Sequence, residues 1–223
     1  MRAVAMGLMG CMAGVWLAGC ATDSSKPEVA DTSGPGRYAE PQVYDCGNGI
    51  QFTIAMELKQ AWLVLPERNV RLLPVESPAG LQYKGEGVTF WAQEGQALLV
   101  LPTERHTDCV FDPRASVWAK GKLQGVDFRA VGNEPGWYLE INEGVQIVLV
   151  ADYGSKWHEF GAPAPQVDAA RGITRYRANN EGRSIDIEIL NKVCTDDMSG
   201  ETFEATVRVQ LDQKTYRGCG RRL

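Results

Sequence analysis

Histidine is scarce in this chain: His106 and His158 are the only two, and they lie far apart in sequence. That scarcity removes most enzymes that depend on imidazole chemistry. His158-Glu159 opens like an HExxH zinc motif, but Ala162 occupies the fifth position. Ser199 has Asp197 two residues before it where GxSxG needs glycine, and no histidine follows to act as a base. No CxxC occurs, which excludes the simplest redox and zinc sites. Beyond residue 20 no apolar run approaches the roughly 20 residues of a membrane-spanning helix, and no long helical pattern stands out. Basic clusters are small as well. Lys120 and Lys122 beside Trp118 suffice to touch an anionic headgroup, but a nucleic acid needs a wider patch and the chain has a net charge of −5. Asp196, Asp197 and Glu201 match no EF-hand spacing, so the expectation there is a solvated, disulfide-tethered loop. These absences predict a non-enzyme with no cofactor, no bound metal and no nucleic-acid partner.

What the chain does have begins at its N-terminus. Arg2 precedes a short apolar span that ends in Leu17-Ala18-Gly19-Cys20, with small residues before the cysteine as a cleavage site requires. This pattern resembles the lipobox of bacterial lipoproteins. The resemblance implies a signal peptide over residues 1–19, a mature chain starting at an acylated Cys20, and a lipid anchor in the membrane. Ala21, rather than Asp, follows the cysteine, which resembles lipoproteins sent to the outer membrane and predicts a protein facing the periplasm. Residues 20–37 are rich in Ser, Pro, Gly and Asp and have little to bury, so they read as a flexible tether spanning on the order of 20 to 25 Å.

An oxidising compartment gives the remaining cysteines a role. With Cys11 in the signal peptide and Cys20 lipidated, Cys46, Cys109, Cys194 and Cys219 are left to pair. Three connectivities exist on paper, and local pairing predicts Cys46 with Cys109 and Cys194 with Cys219. A junction near residues 112–115, where Pro113 interrupts the pattern, divides the chain into residues 38–113 and 114–223.

Both parts read as all-β. The first shows a strand at Tyr44 to Cys46, then Gly47-Asn48-Gly49 as a hairpin signal, then a strand with Ile50, Phe52 and Ile54 in alternation. Further strands are expected at 61–65, 69–73, 80–84, 87–93, 96–101 and 107–111, with one helical turn at 56–59. Eight short strands with tight turns suit a small antiparallel barrel or sandwich. The second part is a β-rich domain, with strands expected at 127–131, 137–142, 145–152, 174–178, 184–190, 203–211 and 215–219. There Ile185, Ile187 and Ile189 alternate with Asp186 and Glu188, the mark of a half-buried strand. Glu134-Pro135-Gly136 fits a type II turn leading Trp137 into a core strand.

Tyr44-x-Cys46, a glycine turn, Phe52, Ser77-Pro78-Ala79-Gly80-Leu81-Gln82-Tyr83, Phe90-Trp91, Gly95, Ala97 and Cys109 together resemble the membrane-bound inhibitors of c-type lysozyme. The resemblance covers residues 44–109. It implies a periplasmic, single-disulfide β-barrel that blocks its protein partner, a c-type lysozyme, by placing a loop in the enzyme's cleft. The loop residues it implies are Ser77, Ala79, Gly80, Tyr83, Trp91, Gln93 and Glu94. In the family, a serine precedes the first glycine and a lysine precedes the glycine after the tryptophan. Here Ala79 stands before Gly80, and Gln93 or Glu94 takes the lysine's place. Two cleft carboxylates reward donors and repel another carboxylate. Residues 38–113 hold 5 Lys and Arg against 10 Asp and Glu, a net charge of −5 that suits a basic partner.

In the second part, Phe128 to Trp137, Cys194 to Glu201 and Tyr216 to Gly220 resemble an uncharacterised family of bacterial envelope proteins, which implies no activity. Two readings stand: a lysozyme inhibitor, or a structural or ligand-binding envelope module in which the barrel has lost its inhibitory loop.

Overall fold

The structure is a computed structural model and describes residues 34–47, 49–78 and 80–223. The acylation site Cys20, the signal peptide, residues 20–33 of the tether and Ala79 lie outside the described residues.

Eight strands form the first domain: β1 (Glu40–Asp45), β2 (Gln51–Met56), β3 (Ala61–Val64), β4 (Asn69–Val75), β5 (Leu81–Gly85), β6 (Val88–Gln93), β7 (Gln96–Val100) and β8 (Arg105–Asp112). Each pairs antiparallel with the next, and β8 returns to β1 with Phe111 opposite Tyr44, which closes the barrel. Closure leaves no free edge to pair with another chain. Alternate side chains fill the interior, among them Ile54, Leu63, Val70, Leu72, Phe90 and Leu99, all buried. Each such burial is worth about 1.5 to 3 kcal/mol before chain entropy is counted. The hairpins β5–β6 and β6–β7 turn on Glu86-Gly87 and Glu94-Gly95, and every one of these four residues has positive φ. Both turns therefore have the left-handed geometry that matches strand twist. The Cys46–Cys109 disulfide joins the end of β1 to β8. In place of the helical turn expected at 56–59, Met56 ends β2 and a bend at residues 58–59 follows it.

The second domain contains β9 (Phe128–Asn133), β10 (Gly136–Asn142), β11 (Gln146–Ala151), β12 (Lys156–Gly161), β13 (Gln166–Asp168), β14 (Ile173–Asn180), β15 (Arg183–Leu190), β16 (Cys194–Thr195), β17 (Thr202–Phe203), β18 (Ala205–Leu211) and β19 (Lys214–Arg222). Nine of them make one antiparallel sheet in the order β12-β11-β10-β9-β19-β18-β15-β14-β13. The sheet curls on itself, and the Asn180 amide of β14 donates to the Glu159 carbonyl of β12 at 2.9 Å. Its concave side holds one core, with Leu139, Ile141, Ile147, Leu149, Ile187, Val207 and Val209 fully buried. Three strands, β12, β13 and the two-residue β16, were not legible in the sequence, and β17 and β18 were read as one. In β12 only Phe160 enters the core, so the polar residues around it mask the alternation. The turn between β9 and β10 also differs from the type II reading. Asn133 pairs with Gly136, and the Glu134–Pro135 peptide bond is cis, so the proline takes the third place of the turn, not the second.

An 11-residue helix, α1 (Pro113–Leu123), follows β8 directly, where the sequence suggested only a junction. Asp112 caps it, its carboxylate accepting from the Arg114 and Ala115 N–H groups, and Pro113 sits in the first turn where no N–H is needed. One side of α1 lies on the barrel. Ser116 Oγ accepts from the Val43 N–H of β1 at 2.9 Å, and Leu123 packs against Trp62, Ala55 and Ala39 on the barrel's outer wall.

The other side of α1 meets the curled sheet through Trp118. Its ring packs against two arginines that are opposite one another in register, Arg129 of β9 and Arg221 of β19. The guanidinium carbon of Arg221 is 4.2 Å from the ring centroid, and that of Arg129 is 5.6 Å away. Tyr138 packs on Arg129 at 4.5 Å, and Phe203 lies 5.4 Å from both Arg221 and the Trp118 ring. Glu140 and Glu201 neutralise Arg129 and Arg221 in turn. Three rings and two cations thus form one cluster, in which the single ring contributed by α1 accepts both guanidinium groups and also touches Phe203.

Beside this stack, the Cys194–Cys219 disulfide fastens the β16–β17 ribbon to β19. Asp196 organises the ribbon's loop and is itself buried, while residues 197–200 are exposed, so the loop is solvated around one buried carboxylate. Its carboxylate accepts from the Met198 and Ser199 N–H groups, the Ser199 hydroxyl and the Asn133 amide. Burial pushes its pKa up, but these donors outweigh that and hold it below the usual carboxylate range. Asp196→Ala should lower stability by about 1.5 kcal/mol, because the donors are left unsatisfied. In wild type this contribution is present above the ordinary aspartate pKa and is lost as pH falls through the lowered one. Urea midpoints of both proteins, measured from pH 7 down to pH 2, should converge at the acid end.

Candidate functional site

The loop between β4 and β5 comes to rest on the hairpin between β6 and β7. Gly80 makes this possible. Its φ is +72°, and a Cβ there would stand 2.4 Å from the Ala92 carbonyl oxygen and 3.1 Å from the Gln93 side chain. Gly80, Gln93 and Glu94 consequently share one groove of about 360 Å³, whose other walls include Gln42, Tyr44, Leu81 and Phe111. The Phe111 N–H donates to the Gly95 carbonyl at 2.8 Å, which pins the tip of the hairpin to β8.

The groove is stiff because its floor is part of the core. Tyr44 is buried and stacks on Phe52 at 5.4 Å between ring centroids, with Phe90 at 5.6 Å and Phe111 at 5.9 Å. Burial raises its pKa, so the phenol remains a donor, and it gives its proton to Gln42 Oε1 at 2.8 Å. That bond fixes the Gln42 amide with its nitrogen unused, since among the described residues it donates to none. The Gln93 amide is likewise unengaged. Glu94 has φ of +51° at the hairpin tip and carries its carboxylate in the open. The site therefore presents two amide donors and one negative charge.

Of the residues expected at a lysozyme-contacting loop, Gly80, Gln93 and Glu94 come together here. Tyr83 does not, because it alternates inward on β5, is 9% exposed and packs toward Phe90. It holds the barrel rather than contacting a partner. Trp91 lies on the outer wall of β6, between Gln82 and Leu98 in register, since Phe90 takes the inward position. Ser77 is half-buried in the β4–β5 loop and does not line the groove. The sequence reading missed Gln42. Its signal was the alternation of β1, which puts Gln42 and Tyr44 on one face two residues before Cys46.

Among the described residues no cluster of His, Cys, Asp and Glu has the arrangement of a metal site. No helix among them is long and apolar enough to cross a membrane. No family model matches the chain, and neither does a curated protein or a solved structure.

Proposed function

We propose that this protein is an outer-membrane lipoprotein, anchored through Cys20 and facing the periplasm, whose barrel inhibits a c-type lysozyme by docking the Gly80 loop and the Gln93-Glu94 turn into the enzyme's cleft. The observation that carries the reading is the packing of Gly80 against Ala92 and Gln93, which joins two separate sequence motifs into one projecting end. A cleft with two carboxylates binds amide donors, and Gln42 and Gln93 supply them where the family uses serine and lysine. The net charge of −5 on residues 38–113 steers the barrel toward a basic enzyme. A rigid groove loses little entropy on docking.

The test is a peptidoglycan hydrolysis assay with the mature chain titrated against c-type lysozyme. Stoichiometric inhibition is expected. Gly80→Ala should relieve it, because the methyl group collides with the Ala92 carbonyl and displaces the loop, while circular dichroism keeps the wild-type strand signal. Undiminished hydrolysis at micromolar protein would favour the alternative, a structural or ligand-binding envelope module.

A further inference from the structure

Residues 114–223 hold 15 basic and 15 acidic side chains, so the second domain is neutral in sum. Its outward face is not evenly charged. Ile185, Ile187, Val207, Val209 and Tyr216 face the core, so their strand neighbours Asp186, Glu188, Arg208 and Arg217 face out. On β14, Tyr176 faces in, and Arg175 and Arg177 face out. Register places Arg175, Glu188, Arg208 and Arg217 in one row across four strands.

The two carboxylates of this face are already committed. Glu188 pairs with Arg175, and Asp186 pairs with Arg177 at 2.6 Å. Arg208 and Arg217 stand directly opposite each other, both exposed, and among the described residues neither guanidinium has a carboxylate partner. Like charges so placed repel across the strands. Glu188, opposite Arg208 in the row, is engaged by Arg175 and forms no ion pair with Arg208, whereas this chain gives the comparable opposed pair Arg129 and Arg221 a glutamate each.

We propose that Arg208 and Arg217 together bind a phosphate-bearing anion. Directly opposite strand residues have their Cβ atoms roughly 4.5 to 5.5 Å apart, close enough for two guanidinium forks to grip one phosphate from either side. Arginine suits this better than lysine, because its planar fork matches phosphate oxygens in pairs. A shallow groove of about 300 Å³ adjoins Arg208 on the side away from Arg217, walled also by Arg175, Arg177, Asp186, Glu188 and Gln210. Its walls are polar throughout, so the rest of the ligand is hydrophilic. The phosphate of a lipid headgroup and free phosphate share this chemistry, and the face is open to either.

The experiment uses the mature chain with Cys20→Ala, so that no acyl chain contributes to vesicle binding. Inorganic phosphate is titrated while the arginine side-chain NMR signals are followed, and co-sedimentation is measured with phosphatidylglycerol-containing and pure phosphatidylcholine vesicles. Saturable shifts at Arg208 and Arg217, or sedimentation with the anionic vesicles alone, support the proposal. The first identifies free phosphate as a ligand, the second a lipid headgroup. The double variant Arg208→Gln with Arg217→Gln should bind at least tenfold more weakly and remain folded, since it removes a repulsion. Arg68→Gln, an equal loss of charge per site on the barrel, should change nothing. Absence of both signals, or an equal loss in Arg68→Gln, overturns the assignment.

Discussion

Trp118→Ala should lower stability by about 2 to 3 kcal/mol, below the range for a core tryptophan because the ring is half-buried, and split one unfolding transition into two. The ring is the side chain that α1 contributes to the cluster, and both Arg129 and Arg221 pack on it. Without it, both guanidinium groups lose that aromatic face, a void opens beside them, and Phe203 loses its ring partner 5.4 Å away. Glu140 and Glu201 remain, so each arginine keeps its countercharge and the sheet retains its fold. What weakens is the hold of α1 on the sheet. The barrel retains α1 through Ser116 and Leu123, so the two domains then melt as separate units. Urea unfolding followed by far-ultraviolet circular dichroism and by tryptophan fluorescence should coincide in wild type and diverge in the variant. Val117→Ala, an exposed neighbour on the same helix, is the control and should shift the midpoint little. Coincident curves for Trp118→Ala, with an unchanged midpoint, would refute this role.

The stack also explains why the helix was illegible while most strands were not. Strand alternation is a local signal, and Ile185, Ile187 and Ile189 all face the interior side of β15 as their spacing predicts. The cysteines were equally readable, because local pairing within each domain predicts both bridges. Helix α1 buries different residues against two separate partners, Ser116 and Leu123 on one side and Trp118 on the other, so no single apolar stripe forms. Its signals were terminal: Asp112 followed by Pro113 is a cap and a first-turn proline, and Gly125 with φ of +82° closes the other end.

The groove was legible in part for a related reason. Gly80 and the Glu94-Gly95 turn each have a backbone conformation that announces itself, positive φ and a tight hairpin, so their positions at loop tips followed from residue type. Tyr83 and Trp91 are aromatic residues in strands, and sequence gives no direction for a ring until the register is known. In the closed barrel Phe90 claims the inward place, which sends Trp91 out, and Tyr83 lies opposite Phe90 and turns in with it. Gln42 matters through a tyrosine hydroxyl two residues away, a contact across one face of β1 that only the fold makes visible.

Glu94→Lys should tighten binding to a c-type lysozyme ten- to a hundredfold under the proposed docking. Glu94 is the negative charge of the groove, and the cleft it would enter holds two carboxylates. Exchanging a repulsive charge for an attractive one is worth about 1.5 to 3 kcal/mol when the pair is partly desolvated. The substitution leaves the turn intact. Lysine, like glutamate, bears a Cβ at φ of +51°, so the backbone cost is the same in both proteins, and Gly95 beside it has open space around it. Long-range steering must be separated from contact at the groove, and the barrel supplies its own control. Glu86 occupies the equivalent place in the β5–β6 hairpin, with φ of +49° and a glycine after it, outside the groove. Glu86→Lys changes the barrel's net charge by the same amount and breaks only an exposed pair with Arg68, which is worth little. Calorimetry at fixed ionic strength should therefore show a large gain for Glu94→Lys and a small, salt-sensitive one for Glu86→Lys. Equal gains would mean that the Gln93-Glu94 turn does not enter the cleft, and the envelope-module reading would then be the better account of the barrel.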